Sequence, residues 1–282
     1  MNVYATLAQI RAYLQAAGTT MSTSDDEKLT QYLIWSSRLI DRRCHRRFYP
    51  RIETRHFDYQ DTLRLFVDDD LLAVETLTVD DSTIANTEWL LYPLTQYPKA
   101  WIEIKHNSTS LFTYSGTPQD CIQVTGTWGY HDDWDNAWVD SQDTVQDDPL
   151  TNAATSLTVA DADGVDINGL TPRFSVGSLL KIEDEYLVVT TVNTSTNTLT
   201  VQRGVNGTTA AQHTQGTTIY TFIPFTPAVT AVLDLTKWIY EHRNAVGGII
   251  ALPSLEGTAI QSDVDKILAA HRLPVRPPLM IP

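Results

Sequence analysis

Three acidic constellations in the chain carry the residue types used in metal-assisted hydrolysis or acid–base chemistry. His131, Asp132, Asp133 and Asp135 lie close together, and an imidazole beside carboxylates can hold a divalent metal that activates water. No second histidine cluster completes such a centre, and Gly129, Trp134 and Trp138 around it indicate a turn with aromatic anchors. Asp161, Asp163 and Asp166 in DADGVDING imitate the start of a calcium loop, but Pro172 stands at the twelfth position, where a bidentate glutamate belongs. Turn chemistry is the better reading of that segment. Glu183, Asp184 and Glu185, between Leu180 and Leu187, suggest paired carboxylates, yet three consecutive acids at a strand junction mark an exposed hairpin tip. GxSxG, P-loop, HExxH and glycine-fingerprint motifs are absent from the sequence, and RGVNG is explained by a tight hairpin turn at Asn206-Gly207. The residues therefore predict binding rather than catalysis, with no enzyme activity, no cofactor and no metal.

The elements that position these residues follow from periodicity. Leu7, Ile10 and Leu14 fall on one side of a first helix capped by Thr6 and ended by Gly18. Asp25 to Cys44 predicts a second helix with Leu29, Leu33, Ile40 and Cys44 on a narrow apolar stripe, acids in its first turn and Arg42, Arg43, His45, Arg46 and Arg47 at its end. That many basic groups exceed what compensation of a helix terminus worth about 1 kcal/mol requires, so the cluster is a candidate interaction surface. From Arg51 the period changes to two, with extended pieces at 63–67, 74–79, 89–92 and 100–104 and a clean strand over Ile122 to Trp128. Between His131 and Asp148 stand seven aspartates with no Lys or Arg, which predicts an acidic loop or linker. SLTVAD, SLLKIEDEYLVVTTVN, NTLTVQRGVNG and TTIYTF then form a strand-rich block, and the helical period returns after Pro227 with Trp238 and Tyr240 on a broad apolar face. A last helix is expected over 260–271, followed by an extended, proline-stiffened tail.

With 282 residues, 42% hydrophobic and 19% charged, the chain can build two folding units. Twenty Lys plus Arg against thirty-four Asp plus Glu leave a net charge of -14, which disfavours binding to nucleic acid and to anionic membranes. The apolar runs are short and the amino terminus has no signal-peptide pattern, predicting synthesis in the cytoplasm. Cys44 and Cys121 lack metal or redox spacing and are expected as reduced core thiols.

The segments RRCHRRFYPRIETRHFD, DDLLAVETLTVD, IQVTGTWGYHDD and AVLDLTKWIYEHR, in that order, resemble the head-tail connector (adaptor) proteins of long-tailed bacteriophages. Together with the periodicities, the resemblance gives an α+β fold: a helical bundle with a small antiparallel sheet over 1–131 and 224–271, interrupted by an acidic linker at 132–151 and a barrel- or sandwich-like all-β insertion at 152–223, which depart from the family's small members, and followed by an extended tail at 272–282. It implies a virion structural protein of the neck, made in the host cytoplasm. Such proteins form a homo-oligomeric ring, expected to hold twelve copies, under the portal protein and above a stopper or tail-terminator protein. DNA passes through without sequence-specific binding, and no membrane partner is implied. Contacts would fall on Arg38, Arg42, Arg43, Arg46 and Arg47 of the arginine-ended helix and on Arg272, Pro274, Arg276, Leu279 and Ile281 of the tail. The alternative is a virion decoration or carbohydrate-binding adhesion module that uses the β insertion, with tryptophans stacking on sugars.

Overall fold

The structure is a computed structural model and describes residues 2–243 and 266–269. It corrects the expected fold class. The chain is mostly β, with two antiparallel sheets of six strands each and 23% helix, where a helical bundle with a small sheet was expected. The helical stripes are real, but the alternating segments between them pair far more extensively than short extended pieces suggest. The chain divides into two compact units: Arg47–Ala137 with Asn206–Thr208 form one, and the other described residues form the second.

The first-sheet unit contains β1 (Arg51–Phe57), β2 (Arg64–Val79), β3 (Ser82–Ile84), β4 (Trp89–Tyr92), β5 (Lys99–Ile104) and β6 (Ile122–Trp128). The strand order is β1-β6-β2-β5-β4, with β3 paired to β2. Two pieces expected at 63–67 and 74–79 are a single long strand, because β2 pairs first with β5 and then with β6 around bulges. Leu65, Leu77, Ile102, Ile104, Ile122 and Val124 fill the core, closed by Trp128 and Trp89.

Gly126 explains one of those bulges. A Cβ on it would sit 2.2 Å from the Ala73 carbonyl oxygen, so only glycine lets β2 approach β6 at this point. Gly126→Ala is expected to destabilise this unit by about 1–3 kcal/mol through forced backbone shifts. Urea unfolding followed by tryptophan fluorescence checks this; an unchanged midpoint would mean that the bulge relaxes freely.

The second unit holds α1 (Leu7–Ala16), α2 (Asp26–Cys44), α3 (Thr226–His242) and the strands β7 (Trp138–Thr144), β8 (Ser156–Thr158), β9 (Leu179–Ile182), β10 (Glu185–Asn193), β11 (Thr198–Gln202) and β12 (Thr218–Phe222). The strand order is β7-β12-β9-β10-β11-β8, and a Val145–Val159 bridge joins the ends of the two edge strands, closing the sheet on itself. Leu157, Leu180, Ile182, Leu187, Val189, Leu199 and Ile219 fill its interior.

β7 lies inside the stretch read from the sequence as an acidic linker. Its apolar content is low because Asp143 is buried as a hub, accepting from the Thr144, Ala160 and Asp161 N–H groups at 2.7, 2.8 and 2.9 Å.

Thr6 and Gln9 form a capping box at the start of α1. Polar ties hold the helices to one another. The buried Thr236 and Ser36 hydroxyls meet at 3.0 Å, and the Tyr240 hydroxyl donates to Asp25 at 2.9 Å. The Tyr13 hydroxyl donates to Asp234, and that bond, with burial and the nearby negative charge, pushes its pKa up to about 12. Tyr240 is buried in the helix packing as expected, whereas Trp238 is half-exposed and stacked on His242. Of the helix expected over 260–271, residues 266–269 are described, with Leu268 buried.

Candidate interaction surfaces

The basic end of α2 divides into anchored and presented arginines. Arg38 is half-buried: it donates to the Asn2 carbonyl at 3.0 Å, pairs with Asp41 at 3.0 Å and lies 5.9 Å from the Tyr4 ring centre. Its charge is therefore committed within the chain. Arg42 is exposed, and Arg43 and Arg46 are half-buried. The helix stops at His45, whose left-handed backbone (φ 54°) donates its N–H to the Asp41 carbonyl. Arg46 thus follows the helix in a turn rather than continuing its face. Arg47 belongs to the first-sheet unit, where it is exposed while its carbonyl accepts the Tyr130 N–H at 2.7 Å. The candidate tail residues Arg272, Pro274, Arg276, Leu279 and Ile281 lie outside the described residues.

A second surface was not foreseen. On the outer face of the first sheet, Phe66 on β2 pairs directly with Trp101 on β5, which pairs directly with Tyr92 on β4. The ring centres are 5.9 and 5.2 Å apart, and Trp101 and Tyr92 are parallel within 4°. Phe66 is 51% exposed and Leu94, in the next turn, is 58% exposed. The strand parity of Phe66 against buried Leu65 and Val67, and of Trp101 against Ile102, is the signal in the sequence that locates this row. Beside it, Glu103 accepts from Arg64 and from the Trp101 indole at 3.0 and 3.1 Å, the indole bond being the larger influence that holds its carboxyl below the usual range.

The acidic constellations resolve into local structure. The His131 ring accepts the Asp133 N–H at 3.0 Å, the Asp133 carboxylate accepts from Asn136, and Asp135 accepts from the Tyr97 hydroxyl at 2.8 Å. The three side chains point to different tasks, and no cluster able to hold a metal ion occurs among the described residues. Asp166 accepts the Asn168 and Leu170 N–H groups at 2.8 Å each, and Asp161 accepts from Arg173 at 3.1 Å.

At the β9–β10 hairpin, Glu183 is exposed as expected, but Glu185 is 1% exposed. It accepts from Arg203 Nε and Nη2 at 2.6 Å each, from the Gly204 and Ala211 N–H groups at 3.0 Å, and bonds His213 at 2.8 Å. The turn at Asn206-Gly207 forms with positive φ at both residues. It does not join a hairpin, since β11 and β12 are not neighbours; instead the Asn206 carbonyl accepts the Ile52 N–H of β1 at 2.8 Å. Cys44 and Cys121 are buried and form no disulfide.

The fold and these surfaces define a two-unit, β-rich protein that offers charged and aromatic contact patches. The chain matches no protein-family model and no curated protein sequence.

Proposed function

We propose that the protein is a virion structural component that forms a homo-oligomeric ring joining a phage head to its tail, beneath the portal and around the DNA channel. The observation that carries this reading is charge segregation: a chain of net charge -14 gathers arginine at one helix end, with Arg42 exposed there. A ring needs two different patches on each subunit that complement each other around a closed circle. Acidic segments such as 132–148 supply the complement to the arginines. The Phe66–Trp101–Tyr92 row, exposed at Phe66 and half-buried at Trp101 and Tyr92, adds apolar contact area of the type enriched in subunit interfaces. A surplus of aspartate around the bore would keep DNA from adhering to it.

The adhesion alternative receives less support, because none of the seven tryptophans falls within 152–223. Trp128 and Trp89 belong to the core of the other unit.

Reversing Arg42, Arg43, Arg46 and Arg47 to Glu is expected to abolish ring assembly while leaving each subunit folded. Assembly of the unmodified protein should weaken as salt rises from about 0.05 to 0.5 M. Sedimentation at both salt concentrations, with circular dichroism as the folding control, reads the outcome. Unchanged assembly with unchanged salt dependence would refute the pairing.

A further inference from the structure

Within the helix-containing unit, a groove of about 690 Å³ runs between α1, α2 and the β10 side of the second sheet. That volume suits a short peptide or a ligand of similar size. Leu7, Ile34, Pro172, Val176 and Val192 give it half-buried apolar walls. Its α2 end is acidic: Arg11 is committed to Asp26 at 2.6 Å and to the Ser22 carbonyl at 3.0 Å, while Glu27 beside them is exposed.

The walls are fixed in advance. The Leu7 N–H donates to the Val176 carbonyl at 3.0 Å and the Ala8 N–H to the Ser175 hydroxyl at 2.9 Å. A Cβ on Gly177 would lie 2.5 Å from Val3, so glycine lets the chain close at this seam. A preformed apolar groove lowers the ordering cost of whatever occupies it. Because β10 already has β9 and β11 as neighbours, the occupant cannot join the sheet as a further strand and must be held through its side chains.

We propose that this groove receives the C-terminal segment of a neighbouring copy, residues 273–282. That segment lies outside the described residues, and its sequence is LPVRPPLMIP. From residue 266 to the end the chain contains Lys266, His271, Arg272 and Arg276 but no acid, against an overall charge of -14. An apolar peptide that carries Arg276, with Arg272 immediately before it, complements apolar walls with an acidic end. The intermolecular form of the proposal rests on the ring reading above.

The test mixes full-length Ile34→Cys with full-length Met280→Cys under copper-phenanthroline oxidation, the native thiols being buried. Thr191→Cys, at an exposed position lining the groove, serves as a second acceptor if Ile34→Cys fails to fold. Ser195→Cys, at an exposed turn that does not line the groove, is the control. Linkage between copies at the groove is expected to run at least about tenfold faster than at the control. It should slow about tenfold when Arg272→Glu and Arg276→Glu are added to the tail partner.

Linkage no faster than the control overturns the proposal, as does linkage confined to a single copy in the Ile34→Cys/Met280→Cys double variant. Protection of groove amides from hydrogen exchange that survives the tail substitutions would assign the groove to another occupant and equally overturn it. Native mass measurement of the same samples separates the two readings, since tails can exchange between copies without a closed ring.

Discussion

Arg203→Met is expected to cost the helix-containing unit about 3–5 kcal/mol, because it strands an ionised Glu185 in the interior. The Arg203 side chain is 5% exposed and makes a two-pronged pair with Glu185. It also donates to the Thr151, Ala154 and Ala211 carbonyls at 3.0, 3.2 and 2.6 Å, pinning two loops. Burial alone pushes the Glu185 carboxyl up; Arg203, the Ala211 N–H and His213 outweigh it and hold the group below its usual value. A depressed carboxylate contributes stability above its unfolded pKa and loses that contribution as pH falls through the folded value. In Arg203→Met the stranded carboxylate can instead protonate, so the penalty should shrink between pH 7 and pH 4. Urea unfolding at both values checks this, and an equal loss at both would mean that the arginine acts through packing alone. Pairing the change with Glu185→Gln should recover part of the loss, since the amide carries no charge and its oxygen can still accept a hydrogen bond from the Gly204 or Ala211 N–H.

Trp128→Ala is expected to destabilise the first-sheet unit by about 3–5 kcal/mol. Trp128 is 1% exposed at the end of β6, the strand between β1 and β2. Its indole donates to the Glu53 carbonyl at 3.1 Å, its ring stacks with Phe57 at 6.2 Å, and the Arg55 guanidinium lies 4.0 Å from the ring centre. Removing it leaves a cavity, an unpaired carbonyl and a guanidinium without its aromatic face. Trp128→Phe keeps most of the volume and should lose only about half as much. Hydrogen exchange at the amides of β1 and β6 distinguishes a local loss from global unfolding. A change below 1 kcal/mol would contradict the packing described.

Much of the local structure was legible in the residues. The three- and four-residue spacing in Leu29, Leu33 and Ile40 marked α2, Thr6 marked the start of α1, and the alternation over Ile122–Trp128 marked β6. The overall class was not legible, because strand pairing is a long-range property. The bulged pairing that makes β2 one long strand depends on Gly126 and on partners in β5 and β6. β7 was hidden because a buried aspartate hub, rather than apolar alternation, stabilises its end.

The candidate surfaces divide in the same way. The arginine burst stood out in the sequence, but the commitment of Arg38 to Asn2 and Asp41 did not. Glu185 resembled its exposed neighbour Glu183 until Arg203 and His213, 18 and 28 positions along the chain, were brought to it. The aromatic row required the register of three strands.

The most direct test of the ring is native mass spectrometry of the purified full chain, alone and mixed with a phage portal ring. A single closed species of about twelve subunit masses is expected, formed either alone or on the portal. A protein that stays at one subunit mass in both samples and leaves the portal's mass unchanged would contradict it.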